Sequence, residues 1–131
     1  MTVAAPATPG AVVAKTLRVV IADNDAAVLE LLSTDLRLEG HSVVASVLSG
    51  ADAVTACRQL RPDVLIADYR MPPGINGLET IRQVRVEETA RTCILYTNYR
   101  SARIASDARR MGAIYVAKGP LRLLRAALPT D

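Results

Sequence analysis

Pro62-Asp63-Val64-Leu65-Ile66-Ala67-Asp68-Tyr69-Arg70-Met71-Pro72-Pro73-Gly74-Ile75-Asn76-Gly77 is the stretch that decides the fold. Val64 to Ala67 is a continuous apolar run, too short for a helix and bounded by Pro62 and Asp68. A run without polar alternation is a strand covered on both faces, and such strands belong to parallel sheets. Tyr69 to Gly77 is rich in proline, glycine and asparagine, the chemistry of a turn-rich loop. Leu78, Ile81 and Val84 then recur at helical spacing. Strand, loop and helix in that order make one βα unit, with an acid at the carboxyl end of its strand.

The same unit repeats outward in both directions. Toward the N-terminus, Leu17 to Ala22 is an apolar run broken only by Arg18, and it ends at Asp23-Asn24-Asp25. Asp25 is placed to cap a helix carrying Leu29, Leu32 and Leu36 on one face, and Gly40 stands where that helix should close. Val43, Val44 and Val47 mark a second strand. Ser49 with Asp52 opens a second helix through Ala53, Cys57 and Leu60, which Pro62 stops. Toward the C-terminus, Cys93 to Tyr96 is a fourth strand running into Thr97. Ser101 caps a helix with Ile104, Ala108 and Met111 inward, and Gly112 closes it. Ala113 to Ala117 is a fifth strand ending at Lys118, and Pro120 fits the first turn of a last helix with Leu121, Leu124 and Leu128 inward. Five strands, each followed by a helix, imply an α/β fold with parallel strands and helices on both faces of an open sheet. A closed barrel would need about eight such units.

Composition sets the boundaries of the reading. Half of the 131 residues are apolar, enough for one domain with a substantial core, and no internal repeat appears. The net charge of +3 is mild and no run of basic residues occurs, which disfavours nucleic acid as a partner. Arg100, Arg103, Arg109 and Arg110 cluster around the fourth helix, where a nucleic-acid contact is the weaker reading and a solvated helix face the stronger. Cys57 and Cys93 have neither CxxC spacing nor neighbouring histidines, so they read as buried apolar residues of a reducing compartment. No apolar run is long enough for a membrane span. Residues 1–16 hold Pro6 and Pro9 and lack an early basic residue, the composition of a flexible tail rather than a signal peptide. The expectation is a cytoplasmic domain over residues 17–131 preceded by that tail.

In an open parallel sheet, functional residues gather at the carboxyl ends of the strands, near the point where strand order reverses. Here those ends carry Asp23, Asn24 and Asp25, then Asp68, Thr97 and Lys118. Each alone has an ordinary structural use: a helix cap, a turn residue, a β-branched strand residue, a solvated lysine. Their joint occurrence, one group per strand end, points to chemistry. A nucleophilic aspartate can form an acyl phosphate. Mg²⁺ takes one or two carboxylates together with phosphate oxygens, and an ammonium and a hydroxyl can hold the phosphoryl group. A flavin or nucleotide site would need a glycine- or hydroxyl-rich cradle after the first strand, and Asp23-Asn24-Asp25 would repel phosphate there.

Val19-Val20-Ile21-Ala22-Asp23-Asn24-Asp25, Pro62 through Pro72, Gly77-Leu78-Glu79, Thr97 and Gly112 through Lys118 together closely resemble the receiver domains of response regulators in bacterial two-component systems. The resemblance spans Leu17 to Leu128. It implies a flavodoxin-like, doubly wound five-stranded sheet of order 2-1-3-4-5. It makes Asp68 the phosphoacceptor, and Asp23, Asp68 and the backbone carbonyl of Arg70 the Mg²⁺ site. Thr97 and Lys118 become the groups that hold the phosphoryl, and Tyr115 the aromatic that turns inward on activation. The sequence departs from the family at four places. Asn24 replaces a second metal-binding acid and leaves a weak or indirect ligand. The loop after Asp68 is one residue longer, with Pro72-Pro73 doubled. Asn98 follows Thr97 where a small residue is usual, and Gly119 follows Lys118 where a cis-proline is common.

The function implied is a phosphorylation switch. A histidine kinase or phosphotransfer protein supplies the phosphoryl group, and the face of the fourth helix, fifth strand and fifth helix presents a new surface to an output protein or a second copy of the chain. The chain is then a phosphoacceptor and not an enzyme, with at most weak self-phosphorylation and self-dephosphorylation. The alternative is an atypical receiver that binds partners without phosphorylation, with Asn24 as the mark of a lost metal site.

Overall fold

The structure is a computed structural model, and it describes residues 15–130. Ten elements alternate along the chain: β1 (Arg18–Ala22), α1 (Ala26–Leu38), β2 (Ser42–Val47), α2 (Gly50–Leu60), β3 (Val64–Ala67), α3 (Gly77–Glu87), β4 (Thr92–Thr97), α4 (Ala102–Arg110), β5 (Ile114–Ala117) and α5 (Leu121–Ala127). All strand pairs are parallel and the order is β2-β1-β3-β4-β5, as the sequence implied. Of the expected tail over residues 1–16, all but Lys15 and Thr16 lies outside the described residues.

Period-two alternation divides the core into two layers. Val20, Ala22, Leu65, Ala67, Cys93 and Leu95 pack on one face against α2, α3 and α4, through Cys57, Ile81, Val84, Ile104 and Ala108. Val19, Ile21, Val64, Ile66, Ile94, Tyr96 and Val116 pack on the other against Leu29, Leu32 and Leu36 of α1, Leu124 of α5 and Leu128 just beyond its end. Both faces of β3 are fully covered, which is why Val64–Ala67 has no polar residue. Truncating Ile66, 1% exposed, to alanine would cost about 2–5 kcal/mol through lost transfer energy and a residual cavity. β2 breaks the alternation, because a register shift against β1 falls between Val19 and Val20 and leaves Val44 as the extra residue.

The helix starts follow the capping chemistry. Asp25, Ser49 and Ser101 accept backbone N–H groups of Ala27, Asp52 and Ile104. Asn76 does the same for α3, accepting from the Glu79 N–H at 2.9 Å. Pro120 sits just before α5 as its cap position rather than inside the first turn. Gly40 and Gly112 adopt positive φ where α1 and α4 end, the conformation that favours glycine there. Pro62 is preceded by Arg61 in the left-handed region, and this closes α2. Among the described residues no helix is long and apolar enough to cross a membrane.

Candidate functional site

Order reversal between β1 and β3 opens the crevice in which the strand-end residues meet. Backbone bonds continue the ladder one residue past each strand and fix the bases of the side chains. Asp23 N–H donates to Val47, Asp68 N–H to Ala22, and Lys118 N–H to Thr97. Asp23, Asp68 and Lys118, far apart in sequence, are thereby aimed at one point.

Lys118 sits between the two acids. Its Nζ donates to Asp23 Oδ2 at 2.7 Å and to Asp68 Oδ2 at 3.2 Å. The side chains of Lys118, Asp23 and Asp68 are 14%, 3% and 12% exposed, so this is a nearly buried charge cluster and not a surface pair. The remaining carboxylate oxygens are also held: Asp23 Oδ1 accepts the Asp25 N–H at 2.9 Å, and Asp68 Oδ1 the Tyr69 N–H at 2.7 Å. Burial pushes the Asp23 carboxyl above the ordinary range, assisted by the negative charge of Asp68 and opposed by the bonds from Lys118 and Asp25. For Lys118 burial disfavours the charge, but the bond to Asp23 and the negative charges of Asp68 and Asp23 outweigh it and raise the ammonium's pKa.

Beside Asp68 lies a cleft of about 160 Å³ lined by Asp68, Arg70, Thr97, Asn98 and Tyr99. Thr97 is 1% exposed, and its Oγ1 accepts the Tyr99 N–H at 3.1 Å, which leaves its own proton free for another acceptor. Tyr115 is half-buried and donates its hydroxyl to the Tyr99 carbonyl at 3.0 Å. The rings of Tyr69 and Tyr99 lie 5.3 Å apart, and the Arg70 guanidinium stands 5.7 Å from the Tyr99 ring centre. Arg70 and Tyr99 also line a second groove of about 350 Å³ built by the Pro72-Pro73 loop, whose cis bond joins those two prolines.

The expected site residues are brought together to different degrees: Arg70 lines the cleft beside Asp68, Tyr115 reaches that cleft only through the Tyr99 carbonyl, and Asn24 stands apart. Asp23, Asp68 and Lys118 touch directly, and Thr97 shares the cleft with Asp68. Asn24 is exposed and its side chain makes no hydrogen bond among the described residues. Asp25 is occupied in capping α1 and does not replace the missing acid. The buried Asp23 carboxylate, the half-buried Asp68 carboxylate and the Arg70 carbonyl, on which no donor ends among the described residues, are the oxygen donors that suit a hard divalent cation. No cluster of three or more metal-binding His, Cys, Asp or Glu side chains occurs among the described residues, so this set is sparse in charge. Sequence reasoning did not find Tyr69, Tyr99 or the Arg70 guanidinium as members of the site. Their contacts join loops after different strands, and no local pattern marks them.

The family model for the response regulator receiver domain matches residues 19–126. Among curated proteins, the DNA-binding response regulator MtrA of Mycobacterium leprae is 40% identical over 70 residues, covering 53% of this chain and 30% of that protein. The regulatory protein AtoC of Escherichia coli is 33% identical over 102 residues, covering 77% of this chain and 22% of that protein. The chain thus spans less than a third of the length of these relatives. Among solved structures, a LuxR-family two-component response regulator from Aurantimonas sp. SI85-9A1 superposes with a TM-score of 0.78 at 28% identity, over 86% of this chain and 82% of that one. The signal receiver domain of the response regulator NarL from Mycobacterium tuberculosis gives 0.75 at 27%, over 86% and 93%.

Proposed function

The chain belongs to the response regulator receiver domain family, and on that premise we propose that it is a phosphorylation-switched signalling module with Asp68 as its phosphoacceptor. The observation that carries this reading is the contact of Lys118 with both Asp23 and Asp68 at the mouth of a cleft that Thr97 also lines. On this reading the receiver is residues 17–131.

A carboxylate oxygen of Asp68 attacks the phosphorus of a phosphohistidine on a histidine kinase or phosphotransfer protein. A P–O bond forms, the P–N bond breaks, and the imidazole leaves. Lys118 lies within reach of the new phosphoryl oxygens, since its ammonium already touches Asp68. The Thr97 hydroxyl, which lines the cleft beside Asp68, supplies a second donor. Asp23, Asp68 and the Arg70 carbonyl would hold Mg²⁺, with Asn24 at most a weak or indirect ligand. Bound there, the ion neutralises phosphoryl charge. Movement of Thr97 would pull on Tyr99 through its N–H and on Tyr115 through the Tyr99 carbonyl. The face of α4, β5 and α5 would change as a result. The chain accepts a phosphoryl group rather than turning over a substrate, apart from weak self-phosphorylation and self-dephosphorylation.

The phosphorylation-independent alternative rests on Asn24 alone, and no contact in the site favours it. Exposure to acetyl phosphate and Mg²⁺ followed by intact mass is the test. Wild type should gain one acid-labile phosphate, and Asp68→Asn, which is nearly isosteric, should gain none. Incorporation that survives in Asp68→Asn would remove Asp68 from the role.

A further inference from the structure

The amino ends of β3 and β4, at the far end of the sheet from Asp68, are entered through two turns. Residues 61–63 join α2 to β3, and residues 88–91 join α3 to β4. Each turn begins where a helix stops on a left-handed residue, Arg61 at φ 44° and Glu88 at φ 56°. Because β3 and β4 are paired neighbours, with Val64 opposite Thr92, the two turns lie side by side. The Thr92 N–H donates to the Asp63 carbonyl at 3.0 Å and ties one to the other. Between them is a cleft of about 230 Å³. Sites that enclose a drug-sized ligand run to roughly 300–1,000 Å³, so the volume here suits something smaller.

The cleft collects hydrogen-bond donors that the fold does not use. Thr89 lines it and is 4% exposed, and its hydroxyl has no hydrogen-bond partner among the described residues. Ala90 and Arg91 follow. Neither backbone N–H meets an acceptor among the described residues, although Ala90 is only 6% exposed. Buried donors are almost always paired, and one left unpaired costs its full desolvation. Three consecutive residues with idle donors therefore call for an acceptor from outside the chain.

The charge around the cleft fixes the sign of that acceptor. Arg61 and Arg91, one on each turn, are exposed with no carboxylate in ion-pair range among the described residues. Arg85 adds a guanidinium at the edge and steadies the turn, donating to the Arg91 carbonyl at 3.4 Å and to the Met111 carbonyl at 3.1 Å. Arg18 adds another, which donates to the Arg61 carbonyl at 3.0 Å. Against these stand two acids. Asp63 is already engaged, its Oδ2 accepting the Arg18 N–H at 2.8 Å, and Glu88 is exposed. We propose that this cleft binds a phosphate group, carried by the free ion or by a small phosphate monoester. Guanidinium forks, a hydroxyl and adjacent backbone N–H groups are the donors that phosphate oxygens accept. The inference is independent of the phosphoacceptor reading, whose residues sit at the opposite ends of the same strands.

The test titrates the full chain with inorganic phosphate, glycerol phosphate and chloride at constant ionic strength, followed by amide NMR shifts. Both phosphates should give saturable shifts at residues 89–91, the tighter one naming the source, and chloride should give none. Arg61→Gln with Arg91→Gln should weaken phosphate at least about tenfold, because charge-assisted bonds are lost. Thr89→Val should also weaken it about tenfold and leave the urea midpoint no lower, since the hydroxyl it removes is unpartnered in the free protein. Thr89→Ser, which keeps the hydroxyl, should bind like wild type. Shifts confined to Thr97 and Lys118, shifts matched by chloride, or an affinity unchanged in the arginine and valine variants would each overturn the proposal. So would movement of the amides of residues 89–91 by Mg²⁺ and not by phosphate.

Discussion

Gly77→Ala sets two effects of opposite sign against each other at the first residue of α3. By intrinsic propensity alanine should stabilise a helix by up to about 1 kcal/mol relative to glycine. Packing predicts the reverse. A Cβ at position 77 would overlap the Asp68 carbonyl oxygen, and would lie 2.9 Å from the Asp68 carbonyl carbon and 2.8 Å from Leu95 Cδ1. Leu95 is 0% exposed and has no room to retreat, and the Asp68 carbonyl belongs to the backbone that leaves β3. Gly77 N–H also donates to the Tyr69 carbonyl at 2.7 Å, so the two segments cannot separate without losing that bond. Overpacking against backbone in a closed core costs about 1–3 kcal/mol, and the rigidity of both partners places this site at the upper end. With a urea dependence of roughly 1–3 kcal/mol per molar, the midpoint should fall by about 1–3 M. Asp68 would be displaced with its carbonyl, and an ångström-scale error at a reacting group slows phosphorylation by about tenfold to a hundredfold. Gly74→Ala and Gly119→Ala are the controls. Neither site has an atom within 4 Å of the new Cβ and neither has positive φ, so both variants should unfold near the wild-type midpoint. An unchanged or raised midpoint for Gly77→Ala would refute the close-approach argument.

Asn24→Asp restores one negative charge at the rim of the site and should tighten Mg²⁺ about ten- to thirtyfold, near 1–2 kcal/mol after screening. A Mg²⁺ titration by NMR that gives equal affinities would mean that residue 24 does not face the ion. Lys118→Met leaves Asp23 and Asp68 opposed in a nearly buried cluster and should destabilise the fold by about 2–3 kcal/mol at neutral pH. The pH dependence has a defined sign. The Lys118 pKa is raised above 10.5, so its contribution is complete below the unfolded value and is lost as pH climbs through the folded one. Urea midpoints above pH 10.5 should therefore fall more steeply for wild type than for Lys118→Met, and parallel curves would contradict the ion-pair account. Burial pushes the Cys57 thiol to about 12 and the Cys93 thiol to about 11. At neutral pH iodoacetamide should then label both only as fast as the chain opens; rapid labelling of folded protein would place a thiol at the surface.

The strand-end acids were legible because the pattern that makes a buried strand also announces where it stops. Val64–Ala67 has no polar residue, so Asp68 marks the boundary without ambiguity. Ser49 and Ser101 were legible as caps because each precedes a clean helical periodicity. Asn76 was not, because it sits in a loop already crowded with turn formers, where its capping role has no separate signature. Lys118 was placed at the rim by its strand. Its position between two acids depends on side-chain reach across 95 and 50 residues of separation, which no local pattern encodes. The same holds for Tyr69, Arg70 and Tyr99, whose mutual contacts arise only when loops after β3 and β4 are brought side by side. Asp25 was readable as a cap, and its carboxylate is spent on Ala27; the loss at Asn24 therefore goes uncompensated by its neighbour.

The two walls around Asp68 differ in mechanical stiffness. On one side Gly77 abuts the Asp68 carbonyl, and Gly50 abuts Thr80 and Ile75, with an added Cβ at 50 lying 2.7 Å from Ile75 Cγ1. That wall sets glycine backbone directly against the Asp68 carbonyl at one point and against the Thr80 and Ile75 side chains at the other, with no room for a Cβ. On the other side stand exposed Arg70, Asn98 and Tyr99, held by ring contacts and by single hydrogen bonds to Thr97 and Tyr115. A phosphoryl group added at Asp68 would enlarge the residue, and the strain would relax along the compliant direction. On the proposed reading the geometry would work as a rectifier: expansion at one carboxylate would be converted into motion toward Tyr99 and Tyr115, with the α2–α3 seam as a fixed anvil.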